Sequence, residues 1–166
     1  MKNFCKSLIV TLCVFFSFNV SATHYMGGEI TWECNNQGRY IFTVKIYRDC
    51  NGAPLTGNLS LIAHNYPTVG QSNTSFQLTR QSINDISATC GGSPCSPTNT
   101  RITTNVAGAV EEHVFTTAPQ LLNGVPGVNG WIFTFTGPTR NNAVDNLTNP
   151  GGTNLLLRAK MFSFNG

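Results

Sequence analysis

A chain of 166 residues holds one folded unit of ordinary domain size and leaves no room for a second sizeable core. Charged residues make up 10 % of it and hydrophobic residues 40 %, which excludes the charge-rich, apolar-poor composition of a disordered segment. Asn and Thr together number 39, Asn favouring turns and Thr strands over helix interiors, which argues against a helical bundle.

The first 22 residues read as an export signal. Lys2 and Lys6 precede an apolar run from Leu8 to Phe18, and Val20, Ser21 and Ala22 supply the small residues of a cleavage site after Ala22. The run is too short to span a bilayer comfortably, and no later stretch approaches the ~20 apolar residues of a membrane helix. Cleavage removes Lys2 and Lys6, leaving eight basic against seven acidic side chains, a net charge of +1 in place of +3. A phosphate-neutralising patch is therefore lacking, and nucleic acid is not an expected partner. Cys5 and Cys13 leave with the signal, so an exported chain keeps Cys34, Cys50, Cys90 and Cys95 as disulfide candidates. Their spacing fits no zinc motif.

In the cleaved chain, residues 28–35 alternate Ile30, Trp32 and Cys34 against Glu29, Thr31 and Glu33, and residues 40–48 carry Tyr40, Phe42, Val44 and Ile46 in phase. Both are half-buried strands. A turn centred at Gln37 pairs Ile30 with Val44, Trp32 with Phe42, Cys34 with Tyr40 and Glu29 with Lys45. This register sets Cys50 ten residues beyond the position opposite Cys34, about 33 Å along a strand, so each of the two is expected to bridge to Cys90 or Cys95.

Shorter strands follow at 58–65, 74–80 and 110–117, then a clear one at 131–136 with Trp131, Phe133 and Phe135 in phase, and a last one at 154–162. In 110–117 the parity that turns Val110, Val114 and Thr116 inward carries Glu112 with them. An inward Glu112 requires an arginine, while Glu111 and His113 share the other face. Trp32 and Trp131 read as core, and Tyr25, Tyr47 and Tyr66 as candidates for exposed aromatics. Residues 81–100 and 137–153 read as long irregular loops. The expected fold is all-β, an antiparallel β-sandwich of immunoglobulin-like or jelly-roll-like type with about seven to eight strands.

No nucleophile elbow, phosphate loop or His-rich metal spacing occurs, so no catalytic residue and no resident metal are assigned. The loop with Arg140, Asn141, Asn142, Asp145 and Asn146 gathers oxygen donors and one cation, a set that suits sugar hydroxyls or, as a weaker alternative, calcium. A solvated turn bonding its own backbone is the ordinary cause of that composition.

Six segments, THYMGGEITWEC from Thr23, IYRDCNG from Ile46, VEEHVFT from Val110, GWIFTF from Gly130, DNLTNPGG from Asp145 and LLLRAKMFSFNG from Leu155, together resemble the N-terminal module of Bacteroidota-type secreted cell-surface proteins. In that family PKD-like β-domains and a gliding-motility-associated C-terminal domain, used by type IX secretion, follow the module. The resemblance implies a non-enzymatic, extracellular structural or adhesion module at the cell surface, and a chain that continues past Gly166. Its implied partners are surface polysaccharide, another cell-surface protein or later domains of the same chain; a carbohydrate-binding module is the alternative. Where the family carries Cys-Cys-Arg, this chain has Pro138, Thr139 and Arg140, keeping only the arginine.

Overall fold

The computed structural model describes residues 25–50, 52, 54–55, 58–68, 71–87, 109–140 and 146–163. The export segment, Cys90, Cys95, Asn141, Asn142 and Asp145 lie outside the described residues. Strands β1 (Tyr25–Cys34) and β2 (Tyr40–Asp49) form the hairpin that alternation predicts, with Ile30 opposite Val44, Trp32 opposite Phe42, Cys34 opposite Tyr40 and Glu29 opposite Lys45. Its turn is held by Asn35, whose Oδ1 accepts the amides of Gln37 and Arg39, both at 3.0 Å. Gly38 supplies the positive φ of 70°.

The remaining strands are β3 (Leu59–Thr68), β4 (Gln71–Asp85), β5 (Val110–Thr117), β6 (Trp131–Thr139) and β7 (Asn154–Met161), with one 3-10 turn at Pro150–Gly152. Three of them outrun the sequence pattern, β3 by reaching Thr68. β4 continues through Gln81 to Asp85 and β6 through Gly137 to Thr139, stretches expected to be irregular. In both the register shifts, between Arg80 and Ser82 and between Thr136 and Thr139, and a shift breaks the two-residue period on which strand recognition rests.

All seven strands join one antiparallel sheet in the order β1-β2-β5-β4-β3-β6-β7. The fold is therefore all-β, as expected, but built from one continuous sheet that curls over to make both layers. β2 and β6 stand four places apart, about 19 Å if the sheet were flat, yet the rings of Phe42 and Phe133 lie 4.4 Å apart. At the seam where the sheet's ends meet, Tyr25 bridges in parallel to Arg140 and Gly28 packs under Leu157. The enclosed core takes Phe42, Val44 and Ile46 from β2, Phe133 and Phe135 from β6, and Leu155 and Leu157 from β7, among others. Each buried side chain of this size contributes about 1.5–3 kcal/mol.

β5 faces the opposite way from its expected parity. Glu111, His113, Phe115 and Thr117 point inward, while Val110, Glu112, Val114 and Thr116 lie on the half-exposed face. Glu112 accordingly meets Lys45 on the outside, with Nζ to Oε2 at 3.4 Å, and Lys45 also reaches Glu29 at 3.4 Å.

Candidate functional site

The phase of β2, carried on from Phe42, Val44 and Ile46, turns Arg48 into the interior, where it is 4 % exposed. A buried guanidinium demands a carboxylate and further acceptors. Register supplies the carboxylate, because Arg48 lies directly opposite Glu111 on β5, and residues opposite one another share a face of the sheet. Both Nε and Nη2 of Arg48 stand 2.5 Å from Glu111 Oε1. The remaining terminal nitrogen, Nη1, donates to the Gly52 carbonyl at 2.5 Å. His113, two residues along β5 on the same face, sets its Nε2 2.5 Å from the same Glu111 oxygen. Its ring lies parallel to that of Phe115.

Tyr25, opposite Arg48 on the other flank of β2, completes the cluster. Its hydroxyl and His113 Nδ1 are buried without a hydrogen-bond partner. Burial pushes the Tyr25 hydroxyl up to about 12, against the opposing pull of Arg48 and with some help from Glu111. At Glu111 burial is the largest influence and would raise the carboxyl, but the His113 hydrogen bond and Arg48 together outweigh it and hold the group below its ordinary range.

The cluster joins two of the segments singled out in the sequence, IYRDCNG and VEEHVFT, across one strand pair. It is sealed, with Glu111 at 2 % and His113 at 0 % exposure. What it does is clamp β2 to β5 and tie the turn after β2 to the sheet, with the Cys50 amide bonded to the Ala109 carbonyl at 3.1 Å. Tyr25 is thus interior and Tyr66 nearly so, not exposed as the sequence led one to expect.

An open concavity lies elsewhere, at the end of the β1/β7 seam that holds Trp32 and Met161. A groove of about 580 Å³ is lined by Trp32, Tyr40, Val125, Trp131, Met161 and Phe162 among others, with no charged side chain. Trp32, read as core, is half-buried, its ring held by Phe42 at 6.2 Å and Phe133 at 6.3 Å. The far wall is the connection between β5 and β6, which is pinned in place. Gln120 and Tyr40 exchange two backbone hydrogen bonds of 2.8 Å, and Tyr66 Oη accepts the Asn123 amide at 2.7 Å. The signal for this wall in the sequence is a turn-rich stretch that nevertheless keeps Leu121, Leu122, Val125 and Val128.

Of the loop predicted to bind a ligand, only its ends are described. Arg140 follows β6, half-buried, with its amide bonded to the Thr153 carbonyl and its Nε buried without a partner. Asn146 is exposed. Among the described residues no group of three or more metal-ligating side chains forms. Nor is any helix there long and apolar enough to cross a membrane.

The cysteines depart from expectation in one respect. Cys34 is free and exposed at the end of β1, not bridged to Cys90 or Cys95. Cys50 is buried and disulfide-bonded. Compared with known proteins, the chain matches no family model, no curated protein and no solved structure.

Proposed function

We propose that this chain is a non-enzymatic, exported module that serves a structural or adhesive role at the cell surface. The observation that carries the reading is a division of labour among the described residues. The one cluster that joins a carboxylate, an arginine and an imidazole is sealed inside the sheet, where it can hold strands but cannot meet a substrate. The groove beside Trp32 is neutral and aromatic-lined on a pinned scaffold, with no carboxylate, imidazole or amine in its lining, which suits binding.

The Cys50 bridge, to Cys90 or Cys95 in this reading, fits an oxidising compartment. A carbohydrate-binding role is the second reading, favoured by the half-buried Trp32 ring at the groove, which can stack on a sugar face. It would place the sugar there and not on the loop from Arg140 to Asn146.

One experiment addresses both. The chain is expressed with its leader, the cell-surface and medium fractions are collected, and the product is sequenced from its N-terminus and passed over immobilised surface polysaccharide. Export with a new N-terminus at Thr23 is expected. Uncleaved protein confined to the cell interior would overturn the proposal, and retention on polysaccharide that disappears in Trp32→Ala would favour the second reading over the first.

A further inference from the structure

We propose that the face flanking the β1/β7 seam is a self-association surface, on which a second copy of this chain docks about a two-fold axis parallel to the two strands. β1 and β7 are the two ends of the sheet order, and at the seam their edges face each other without a β-ladder between them among the described residues. Such edges are covered, charged or used for association.

The two strands run side by side in the same direction, with Tyr25 bridged to Arg140 at one end, Gly28 against Leu157 in the middle, and Trp32 and Met161 on the groove at the other. Their outward side chains differ in sign. β1 exposes Glu29 and Glu33, and β7 exposes Arg158 and Lys160. Glu29 is partly answered by Lys45, whereas Glu33 and Arg158 form no ion pair among the described residues. Lys160 sits over the Phe162 ring at 6.0 Å.

An acidic stripe beside a basic stripe is self-complementary under one symmetry only. A two-fold axis along the strands sets each acidic stripe on the partner's basic stripe, twice over, while an axis across the strands sets like on like. Exposed ion pairs add little affinity by themselves but fix orientation. Apolar surface is available for the rest, because Met26, Leu156 and Phe162 are 47 %, 54 % and 58 % exposed along the same two strands and their extension.

The association depends neither on export nor on any ligand, so it and the proposed function fail separately. The test is sedimentation equilibrium of the full chain carrying Cys34→Ser, which removes the exposed thiol of β1, with a non-reducing denaturing gel of the same sample to exclude a covalent dimer through any other cysteine. A dimer that weakens with added salt is expected. Glu33→Lys and Lys160→Glu should each weaken association by at least about tenfold, since each puts like charges face to face at two places. An equimolar mixture of the two variants should regain the parent affinity, because the swapped stripes again meet opposites; this also shows that both variants are folded.

A chain that stays monomeric at every concentration overturns the proposal. So does a dimer indifferent to both substitutions, or a mixture no tighter than its components. A monomer whose β1 and β7 amide resonances move only on adding surface polysaccharide assigns the face to that ligand instead, and likewise overturns it.

Discussion

At Glu111 three donors converge on a single carboxylate oxygen in a site closed to water. Removing one member of a buried ion pair leaves the other's charge unanswered, which costs about 3–5 kcal/mol. Glu111→Gln keeps the size of the side chain and deletes only the charge, so its loss of stability should fall in that range. The same residue sets an acid limb. The folded carboxyl ionises below its ordinary value of 4.5, so the stability it contributes is complete above that pH and is lost as pH falls through the lower folded value. Urea unfolding of the wild type should therefore weaken below pH ~4.5, while the variant is weaker at pH 7 and shows a shallower decline. Equal acid limbs in the two proteins would show that the clamp does not titrate as the geometry requires.

At the scale of the strand, the tightest constraint is Gly28 in β1. A Cβ there would run into the Lys45 carbonyl of β2 and lie 2.8 Å from Leu157 Cδ1 of β7. The leucine can turn away, but the carbonyl belongs to the paired strand and cannot. Gly28→Ala should thus prise β1 off its neighbour at a cost of about 1–3 kcal/mol, the usual range for overpacking. Hydrogen exchange would localise the effect: amides of β1 and its β2 partners lose protection first, whereas those between β3 and β4 keep theirs.

The same contrast between near and far pairing explains what the sequence disclosed. The register of the first hairpin from Glu29 to Cys34 was legible, because a short turn and two alternating strands determine it between them, whereas Tyr25 opposite Arg48 lies past a register shift that no alternation announces. The pairing of β2 with β5 was not legible, since 60 residues of chain separate the strands and no local period encodes their meeting. The inverted parity of β5 follows from that. Val110, Val114 and Thr116 look like a core face until the Arg48 guanidinium is recognised as interior. Extending the period of β2 one step past Ile46 would have exposed the need for an inward carboxylate, and with it Glu111. The groove escaped for a related reason, as its lining is gathered from four strands, a loop and the residues after β7, each strand contributing a single side chain with no pattern of its own.

For the whole molecule, this topology makes a kinetic demand. The bonds that join one hairpin to the next strand of the sheet are long-range: Arg48 to Glu111 spans 63 residues, the Phe42 amide to Thr117 Oγ1 spans 75, and His64 to Thr134 spans 70. Each requires a large loop to close before any stabilisation is returned, and folds dominated by such pairings refold in milliseconds to seconds while local hairpins form in about 1–10 μs. The hairpins β1/β2, β3/β4 and β6/β7 are local and can form early, but none encloses a core alone. The core appears only when β5 enters between β2 and β4, because β5 joins the half that holds Phe42 to the half that holds Phe133. With the Cys50 bridge intact, refolding from urea should therefore show a dominant phase in the millisecond-to-second range. The near-ultraviolet signal of Trp32 and Trp131 should arrive with that phase, in step with protection of β5 amides. If the tryptophan signal instead returned within the dead time, ahead of β5, the core would be assembling without the central strand, and the clamp at Arg48 and Glu111 would be a late lock on a structure already formed.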